Sequence, residues 1–503
     1  MQLVAYGAQD VYLTGNPQIT FFKVVYRRHT NFSVESVELT FNGTADFGRK
    51  VSCPITRNGD LVGRMYLKST ATATPVSTIT TDADDGIGVK TFQTGTPFAT
   101  LTHTINFSAL ASGIQTIEDN GAGGHYTPAN GFIPGNIVAI GGALANATNG
   151  GNFIIKSVAA NGNSFTVQNA AGAASAADAG VTLIVHPVHR WNKHLGHALI
   201  DNVELSIGGS RIDKQYGVWM QIWDQLSRSN NLDGSMNTCI GNTLTGGENT
   251  SASVDLFVPL QFFCNRNPGL ALPLIALQYH DVRVDFELSS AADCSTTPVG
   301  VTYGINSAVL LVEYVYLDSE ERKRFAQASH EYLIEQLQYT GTESVSASQT
   351  SDKFRLNFNH PCKELVWAFE RDAIDATLGT AESAANKFDF THNGSAGNNG
   401  TSEAQLQLNG HDRFSTQPGV YFNYVQTLQH HTCTPSVGVN VYSFALNPED
   451  HQPSGTCNFS RIDNAQLNIT YASSISAGNL HIFATNYNVL RVMSGMGGLA
   501  YSN

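Results

Sequence analysis

The chain has 503 residues, more than one hydrophobic core usually supports, so its length predicts at least two domains. Only 14% of the residues are charged, against roughly 25% in ordinary soluble domains, and 46 glycines accompany abundant Thr, Ser and Asn, as in loop-rich β proteins. The net charge of -13 argues against general nucleic-acid binding, because phosphate affinity depends on clustered Lys and Arg. We therefore expect no direct contact with nucleic acid.

The cysteines indicate a reducing compartment. There are seven, widely separated and without a C-x-x-C pair, which suits free thiols in a cytosolic protein. The first residues lack the basic and apolar regions of a signal peptide, and no apolar run approaches the roughly 18 residues that span a bilayer. We expect the protein to be made and assembled in the cytosol.

Residues 1–32 are predicted to form an N-terminal arm, because glycines and a proline interrupt the short apolar runs of this segment. Lys23, Arg27 and Arg28 lie in this arm, and residues 1–70 hold 8 Lys and Arg against 5 Asp and Glu in an otherwise acidic chain. The excess is either chance or the mark of an arm that docks on an acidic partner. These three residues are the candidate assembly residues.

Antiparallel sheet is predicted to follow the arm. Alternating apolar residues from Val34 to Phe41 indicate a half-buried strand. The Asn-Gly turn within Arg57–Asp60 precedes another apolar run and predicts a hairpin.

The segment from about 72 to 185 differs from its surroundings. It contains eight charged residues and is dominated by Ala, Thr, Gly and Asn, yet it includes short β runs between turn residues, at 136–140, 153–158, 164–168 and 181–185. A disordered linker would lack such runs. We interpret the segment as a small β-rich domain inserted into a loop of the first sheet structure.

Strand patterning resumes at 198–207, and apolar residues at helical spacing predict a short amphipathic helix over 216–226. A charged segment at 319–330 reads as a helical linker, and a second series of β runs starts at Glu331. Two long β units with helices confined to connections indicate paired sandwiches or jelly rolls. Three tryptophans in apolar-patterned segments are predicted to be core, with a subunit interface as the alternative: Trp219, Trp223 and Trp367.

Two segments of the chain contain closely spaced histidines, which are common metal ligands. His186, His189, His194 and His197 form H-x2-H-x4-H-x2-H, but no cysteine or carboxylate ligand lies nearby, so surface or sheet-edge histidines are expected. The adjacent His430 and His431 point to opposite faces of any strand, and chelation is not expected there either.

Catalytic and cofactor motifs are incomplete. His330-Glu331 begins like a zinc-protease helix, but Ile334 stands where the second histidine is needed. The run starting at Asp82 lacks the central glycine and final glutamate of a calcium loop. Phosphate-loop, nucleophile-elbow and dinucleotide patterns are also missing. The sequence therefore predicts no enzyme, no catalytic residue, no metal site and no cofactor.

The ends of the chain carry the strings Met1–Thr20 and Asn486–Asn503. Others follow between them in a fixed order, among them Phe22–Thr30, Arg57–Asp60, Gly196–Ile200, Leu274–His280, Ser329–Ile334 and Arg461–Asn464. Together they resemble the major capsid proteins of large nucleocytoplasmic DNA viruses, such as those of phycodnaviruses and iridoviruses. The resemblance covers most of the chain and leaves out the segment from about 71 to 185.

The resemblance implies an all-β fold of two tandem jelly rolls, with the small β-rich insertion in the first. The expected division is an arm (1–32), a first jelly roll (33–318) interrupted by about 72–185, a linker (319–330), and a second jelly roll with the C-terminal tail (331–503). The implied function is a virion structural protein that forms homotrimers, pseudo-hexagonal capsomers and an icosahedral capsid. Expected partners are neighbouring capsomers and minor capsid proteins, and the arm is expected to reach these proteins or an inner membrane surface.

A carbohydrate-binding or carbohydrate-cleaving β-sandwich is the alternative that composition alone also permits. Hydrolysis would need two carboxylates facing each other across a groove. Asp281, Asp285 and Glu287 are available, but their spacing does not show that they converge.

Overall fold

The structure is a computed structural model. It describes Ala8 and residues 29–81, 91–120, 123–229, 232–242, 251–296, 298–372, 387–392, 398–473 and 475–501.

The first half of the chain contains two sheets that face each other and a barrel inserted between their strands. Its strands in chain order are β1 (Phe32–Thr40), β2 (Lys50–Pro54), β3 (Leu61–Thr74), β4 (Ser77–Thr80), β5 (Thr91–Thr94), β6 (Leu101–Phe107), β7 (Ile114–Asp119), β8 (Ile137–Gly142), β9 (Gly151–Val158), β10 (Ser164–Gln168), β11 (Ser175–His186), β12 (Ile200–Ile207), β13 (Ser210–Tyr216), β14 (Ser253–Pro259), β15 (Leu272–Pro273), β16 (Val282–Leu288) and β17 (Thr302–Leu317).

The first jelly roll pairs the sheet β1-β17-β3-β14 with the sheet β13-β12-β16-β2. Alternate residues of β3, such as Met65, Leu67 and Ala71, are buried between the sheets, as period-two patterning requires. In β1 only the second half follows this pattern. Val34 and Val37 are three residues apart and so face opposite sides, which leaves Val34 47% exposed.

The predicted hairpin at Arg57–Asp60 is wrong, because β2 pairs with β16 while β3 pairs with β17 and β14. The Asn-Gly turn instead carries the chain from one sheet to the other. A side chain at Gly59 would meet the Cβ of Tyr314 at 2.8 Å, which explains the glycine. Asp60 fixes the turn by accepting a hydrogen bond of 2.9 Å from the Leu317 amide.

The insertion contains a closed barrel with the strand order β10-β7-β6-β11-β8-β9. It has a hydrophobic core of its own, which includes Ile105, Ile117, Phe153, Phe165 and Leu183. The four predicted β runs lie in β8, β9, β10 and β11, whereas β6 and β7 were not predicted. The residue limits proposed for the insertion stay a prediction.

The second half forms another pair of sheets. Its strands are β18 (His330–Val345), β19 (Ser351–Arg355), β20 (Pro361–Arg371), β21 (Thr401–Leu408), β22 (His411–Asp412), β23 (Gln417–Pro418), β24 (Val439–Ser443), β25 (Cys457–Asn458), β26 (Ala465–Tyr471), β27 (Gly478–Met493) and β28 (Met496–Leu499). The main path of one sheet is β18-β27-β20-β24 and that of the other is β19-β26-β21-β22.

The sheet containing β20 is buried on both faces. Leu365, Trp367 and Phe369 pack into the core of the second jelly roll, while Val366 and Ala368 on the opposite face join the core of the first. This two-sided burial accounts for the nearly continuous apolar sequence of β20.

Short helices connect the strands. They are α1 (Leu195–Leu199), α2 (Gly217–Ser227), α3 (Asp233–Cys239), α4 (Phe263–Arg266), α5 (Ala291–Cys294), α6 (Ser319–Gln327) and α7 (Gln426–His430). The solvated helix predicted after Asp318 is confirmed as α6, which has no buried residue.

The predicted amphipathic helix is α2, but it is buried on most sides because it lies between the two jelly rolls. Trp219 on α2 packs against Phe483 of β27 with ring centroids 5.3 Å apart. Trp219, Trp223 and Trp367 are all buried, so their prediction as core is confirmed.

We predict that the barrel can be removed without unfolding the jelly rolls, because its core is separate from theirs. Replacing Val76–His186 with a short Gly-Ser bridge should leave soluble protein with an unchanged oligomeric mass. The same deletion should also be made with Arg190→Leu, because this buried guanidinium donates a hydrogen bond to Gly135 of the removed segment. Size-exclusion chromatography with light scattering gives the answer, and insoluble or aggregated protein from both deletions would contradict it.

Candidate assembly interface and the junction between the jelly rolls

A buried carboxylate joins the two jelly rolls. Glu335 of β18 accepts a 3.2 Å contact from the guanidinium of Arg266 in α4 and a 2.8 Å contact from the ammonium of Lys363 in β20. Lys363 is 1% exposed and also donates to the Pro448 carbonyl at 2.6 Å. Each cation therefore depends on Glu335, which is itself 9% exposed.

The two residues after Glu335 extend this junction. The amide of Leu337 donates to the Asp213 carboxylate at 3.0 Å, and the side chain of Gln336 donates to the Ile212 carbonyl. Burial raises the pKa of Asp213 to about 6, although hydrogen bonds from the Leu337 amide and the Gln215 side chain oppose the rise. Three consecutive residues of β18 thus bind the first jelly roll.

A second buried ionic group lies in the second jelly roll. The imidazole of His431 sits between Glu364, whose oxygen is 3.1 Å from Nε2, and Glu449, whose oxygen is 2.9 Å from Nδ1. Burial alone would lower the pKa of His431, but the two carboxylates outweigh it and raise the pKa to about 9. Burial would likewise raise the pKa of Glu364, but His431 and Lys363 lower it.

The C-terminal hairpin returns to the first jelly roll. Gly495 adopts a φ of +80° in the turn between β27 and β28, and a side chain at Gly497 would meet Leu277 at 2.6 Å. The Gly497 carbonyl lies 3.0 Å from Nδ1 of His280. The glycine-rich tail therefore bends closely against its own chain.

Three of the four histidines of the 186–197 pattern are buried or largely enclosed, contrary to the expected surface or sheet-edge position, whereas His186 ends β11 and is half-buried. His189 and His197 are 0% and 1% exposed, and His194 is also largely enclosed. His189 bonds the Tyr303 hydroxyl at 2.9 Å and His197 bonds Gln221 at 2.7 Å, so each has a separate polar partner. Burial lowers the pKa of His189 and His194 to about 3 and that of His197 to about 4, which keeps them neutral.

An exposed apolar surface lies on the helical segment 419–430, in which Tyr421–Val425 is a π turn leading into α7. The 420–428 surface consists of Val420, Tyr424, Val425, Leu428 and the adjoining Leu446. The solvent-exposed fractions of these residues are 60, 44, 38, 80 and 71%, respectively. The opposite side of the helix buries Asn423 and Thr427, which make internal hydrogen bonds. Ordinary surface helices present the reverse arrangement, so this face is suited to contact with another protein.

Other sequence candidates are placed as follows. Lys23, Arg27, Arg28 and the Asp82 run lie outside the described residues. His330 and Glu331 are on strand β18, not on a helix, and Glu331 pairs with Arg491 at 2.8 Å.

The three carboxylates of the carbohydrate hypothesis each have a basic partner. Asp281 contacts Arg57 at 3.4 Å, Asp285 contacts Arg283 at 2.9 Å, and Glu287 contacts Lys50 at 3.0 Å. Asp285 and Glu287 share one face of β16 and do not oppose each other across a groove. Hydrogen bonds from Asn202 and Lys50 lower the pKa of Glu287, opposite to what a general acid requires.

The residues of the junction were not predicted from the sequence, although charged residues within apolar strands indicate them. Lys363 and Glu364 interrupt an apolar strand, and Glu335 follows Leu333 and Ile334. Charges in such a setting indicate buried partners, because an unpaired buried charge is costly.

No helix in the described residues is long and apolar enough to cross a membrane.

Two facing pairs of sheets in one chain define a double jelly roll, the fold of several viral capsid proteins with solved structures. The structure is similar to a protein chain in the quasi-atomic model of the PBCV-1 virus capsid. The TM-score is 0.64, and the identity is 33% over 96% of this chain and 100% of that one. The Faustovirus major capsid protein also has a TM-score of 0.64, at 13% identity over 97% of this chain and 94% of that one, which supports the fold.

Sequence comparison gives the family. The model for the large eukaryotic DNA virus major capsid protein matches residues 321–498, and that for the major capsid protein N-terminus matches 20–94 and 155–318. The chain is 41% identical to the major capsid protein of Pyramimonas orientalis virus, over 100% of this chain and 99% of that one. The chain belongs to the family of major capsid proteins of large eukaryotic DNA viruses. The carbohydrate hypothesis is left without support.

The raised pKa of His431 predicts a pH-dependent stability. A group whose pKa rises from 6.5 when unfolded to about 9 when folded contributes its full stabilisation below pH 6.5 and loses it as the pH passes 9. The loss should reach about 3 kcal/mol in the free energy of unfolding. His431→Gln should remove this decline between pH 6.5 and 8.5, below the range in which unfolded cysteine thiols ionise, as measured by urea unfolding at each pH.

The exposed His411 provides the control, since His411→Gln should keep the wild-type decline. Both variants should still lose stability as the pH falls below 6.5. The folded pKa values of His189, His194 and His197 are lowered, so at acid pH the unfolded state binds more protons than the folded state. An equally steep alkaline decline in His431→Gln would assign the effect to another group.

Proposed function

We propose that three copies of this chain associate into a pseudo-hexagonal capsomer and that these capsomers tile an icosahedral shell. Three copies of two similar jelly rolls present six near-equivalent sides, which allows a trimer to occupy a hexagonal lattice position. Support comes from the family, from the similarity to a protein solved within the PBCV-1 capsid, and from the apolar 420–428 surface. The surface carries the proposal, because it has no covering element among the described residues.

Contacts within the trimer should be wide and apolar, whereas contacts with neighbouring capsomers should be smaller and more polar, as obligate and transient interfaces differ. In a threefold ring each copy offers one surface to a different surface of the next copy. The 420–428 surface of one copy therefore contacts a different surface of the next copy. It does not contact the 420–428 surface of that copy.

The proposed role is structural, without catalysis and without direct nucleic-acid contact. Assembly in the host cytoplasm is supported by seven cysteines that form no disulfide. Burial raises the pKa of Cys53 to about 11 and that of Cys264 and Cys294 to about 12, so these thiols stay protonated and unreactive.

Charge substitutions on the 420–428 surface test the trimer. Leu428→Glu combined with Val420→Glu should place buried, unpaired carboxylates in the interface and convert the trimer to monomer. Native mass spectrometry should give about three times 54.1 kDa for the wild type and a single chain mass for the variant.

Val299→Glu is the matched control, because Val299 is 77% exposed but lies in the first jelly roll, away from helix α7. It should remain trimeric. A wild-type monomer would refute the trimer, and a trimeric double variant would place the interface elsewhere.

The N-terminal arm is proposed to lie on the inner face of the shell, where Lys23, Arg27 and Arg28 contact minor capsid proteins or an acidic membrane surface. Deleting residues 2–30 stops short of β1 and should leave the trimer mass unchanged while shells fail to form, as seen by electron microscopy. Neutralising the three cations to Gln should weaken shell formation in the same direction. Loss of the trimer, or normal shells without the arm, would contradict this assignment.

A further inference from the structure

Three potential metal ligands meet inside the inserted barrel, although they are far apart in sequence. The ring nitrogens of His103 and His125 and a carboxylate oxygen of Asp119 all lie within 4.8 Å of one another. Their spacing in the sequence does not group them, because it matches no zinc-site pattern.

Strand register explains why they converge. His103 is two residues before Ile105 on β6 and faces the same way, toward the barrel interior, where it lies opposite Val181. Asp119 is opposite Ile105 at the last β6–β7 pair, so it points inward too. Strand β7 ends at Asp119, and the loop that follows brings His125 over the gap.

The local hydrogen bonding leaves one ligand atom unused. His125 Nδ1 contacts the Asp119 carboxylate, whose side chain is only 1% exposed, and the His103 and His125 rings lie 4.3 Å apart. The Nε2 atom of His103 is buried and has no hydrogen-bond partner among the described residues. A buried nitrogen of this kind is costly unless a proton donor, water or cation meets it.

We propose that His103, Asp119 and His125 form a zinc site that fastens the 123–130 loop to strands β6 and β7. The two imidazoles favour zinc over calcium or magnesium, which prefer all-oxygen sites, and zinc also accepts a carboxylate oxygen. Zinc would bind at roughly 2.0–2.2 Å from each ligand atom. His125 is 37% exposed, so a water molecule can supply the fourth ligand.

Site stoichiometry tests the proposal in the full-length protein. After chelation and gel filtration, protein equilibrated with zinc chloride should retain about one zinc per chain by elemental analysis. Thermal unfolding of the barrel should shift upward with free zinc, because a ligand that binds the folded state stabilises it. Hydrogen exchange in residues 123–130 should slow in the same samples.

His103→Gln and Asp119→Asn should each lose the bound zinc and the slowed exchange. The paired variant His411→Gln with Asp412→Asn, which removes an exposed His and Asp on β22, should keep both. His125→Gln affects a partly exposed ring and serves if the interior variants misfold, with circular dichroism reporting the fold.

Three results would overturn the site. Zinc retention that is unchanged in the His103, Asp119 and His125 variants would place the metal on other groups, such as the cysteines. A wild type that retains no zinc would indicate a histidine–aspartate ion pair with a buried water. Zinc binding without slower exchange in 123–130 would remove the proposed role in fastening the loop.

Discussion

The sheet β18-β27-β20-β24 is buried on both faces, and this constraint determines how the two jelly rolls are joined. Its outer face supplies Val366, Ala368 and Phe483 to the core of the first jelly roll. Such a sheet cannot leave charges unpaired, yet Glu335 and Lys363 lie within it. The Arg266–Glu335–Lys363 contacts satisfy this requirement by drawing one of the two cations from the other jelly roll.

The ionic junction contributes specificity more than net stability. Desolvating three charges offsets much of their attraction, but removing Glu335 would leave two buried cations and cost about 3–5 kcal/mol. An apolar interface alone would tolerate sliding between the sheets. The carboxylate, together with the hydrogen bonds from Gln336 and Leu337, admits one register of β18 against the first jelly roll. A fixed angle between the jelly rolls is what six near-equivalent sides of a trimer would require.

Much of the fold follows from sequence, because local patterning reflects local burial. Strands β8 to β11 and helix α6 were predicted from alternation and charge, and the double jelly roll from family resemblance. The hairpin at Arg57–Asp60 failed because turn chemistry does not reveal whether the next strand joins the same sheet. The burial of His189, His194 and His197 was missed because periodicity does not show what packs against a loop or a one-turn helix.

The site was harder to predict than the fold, since its members come together only through long-range pairing. Glu364 and His431 are distant in sequence, and nothing near His431 indicates that two carboxylates will enclose it. His103, Asp119 and His125 meet because β6 and β7 have one particular register. In both groups the individual residue types were visible in the sequence, but the partner was set by topology.

The separation of cores has a consequence for how this chain can vary. The core of the first jelly roll continues across the junction onto one face of β20 and β27, so a substitution at Val366 or Phe483 disturbs both jelly rolls at once. The barrel has its own core and contacts the first jelly roll through a limited set of residues, among them Arg190 and Val188. Changes inside the barrel are therefore insulated from the surfaces proposed to assemble the shell. A loop insertion with this independence can acquire its own ligands without altering the geometry on which the capsomer depends.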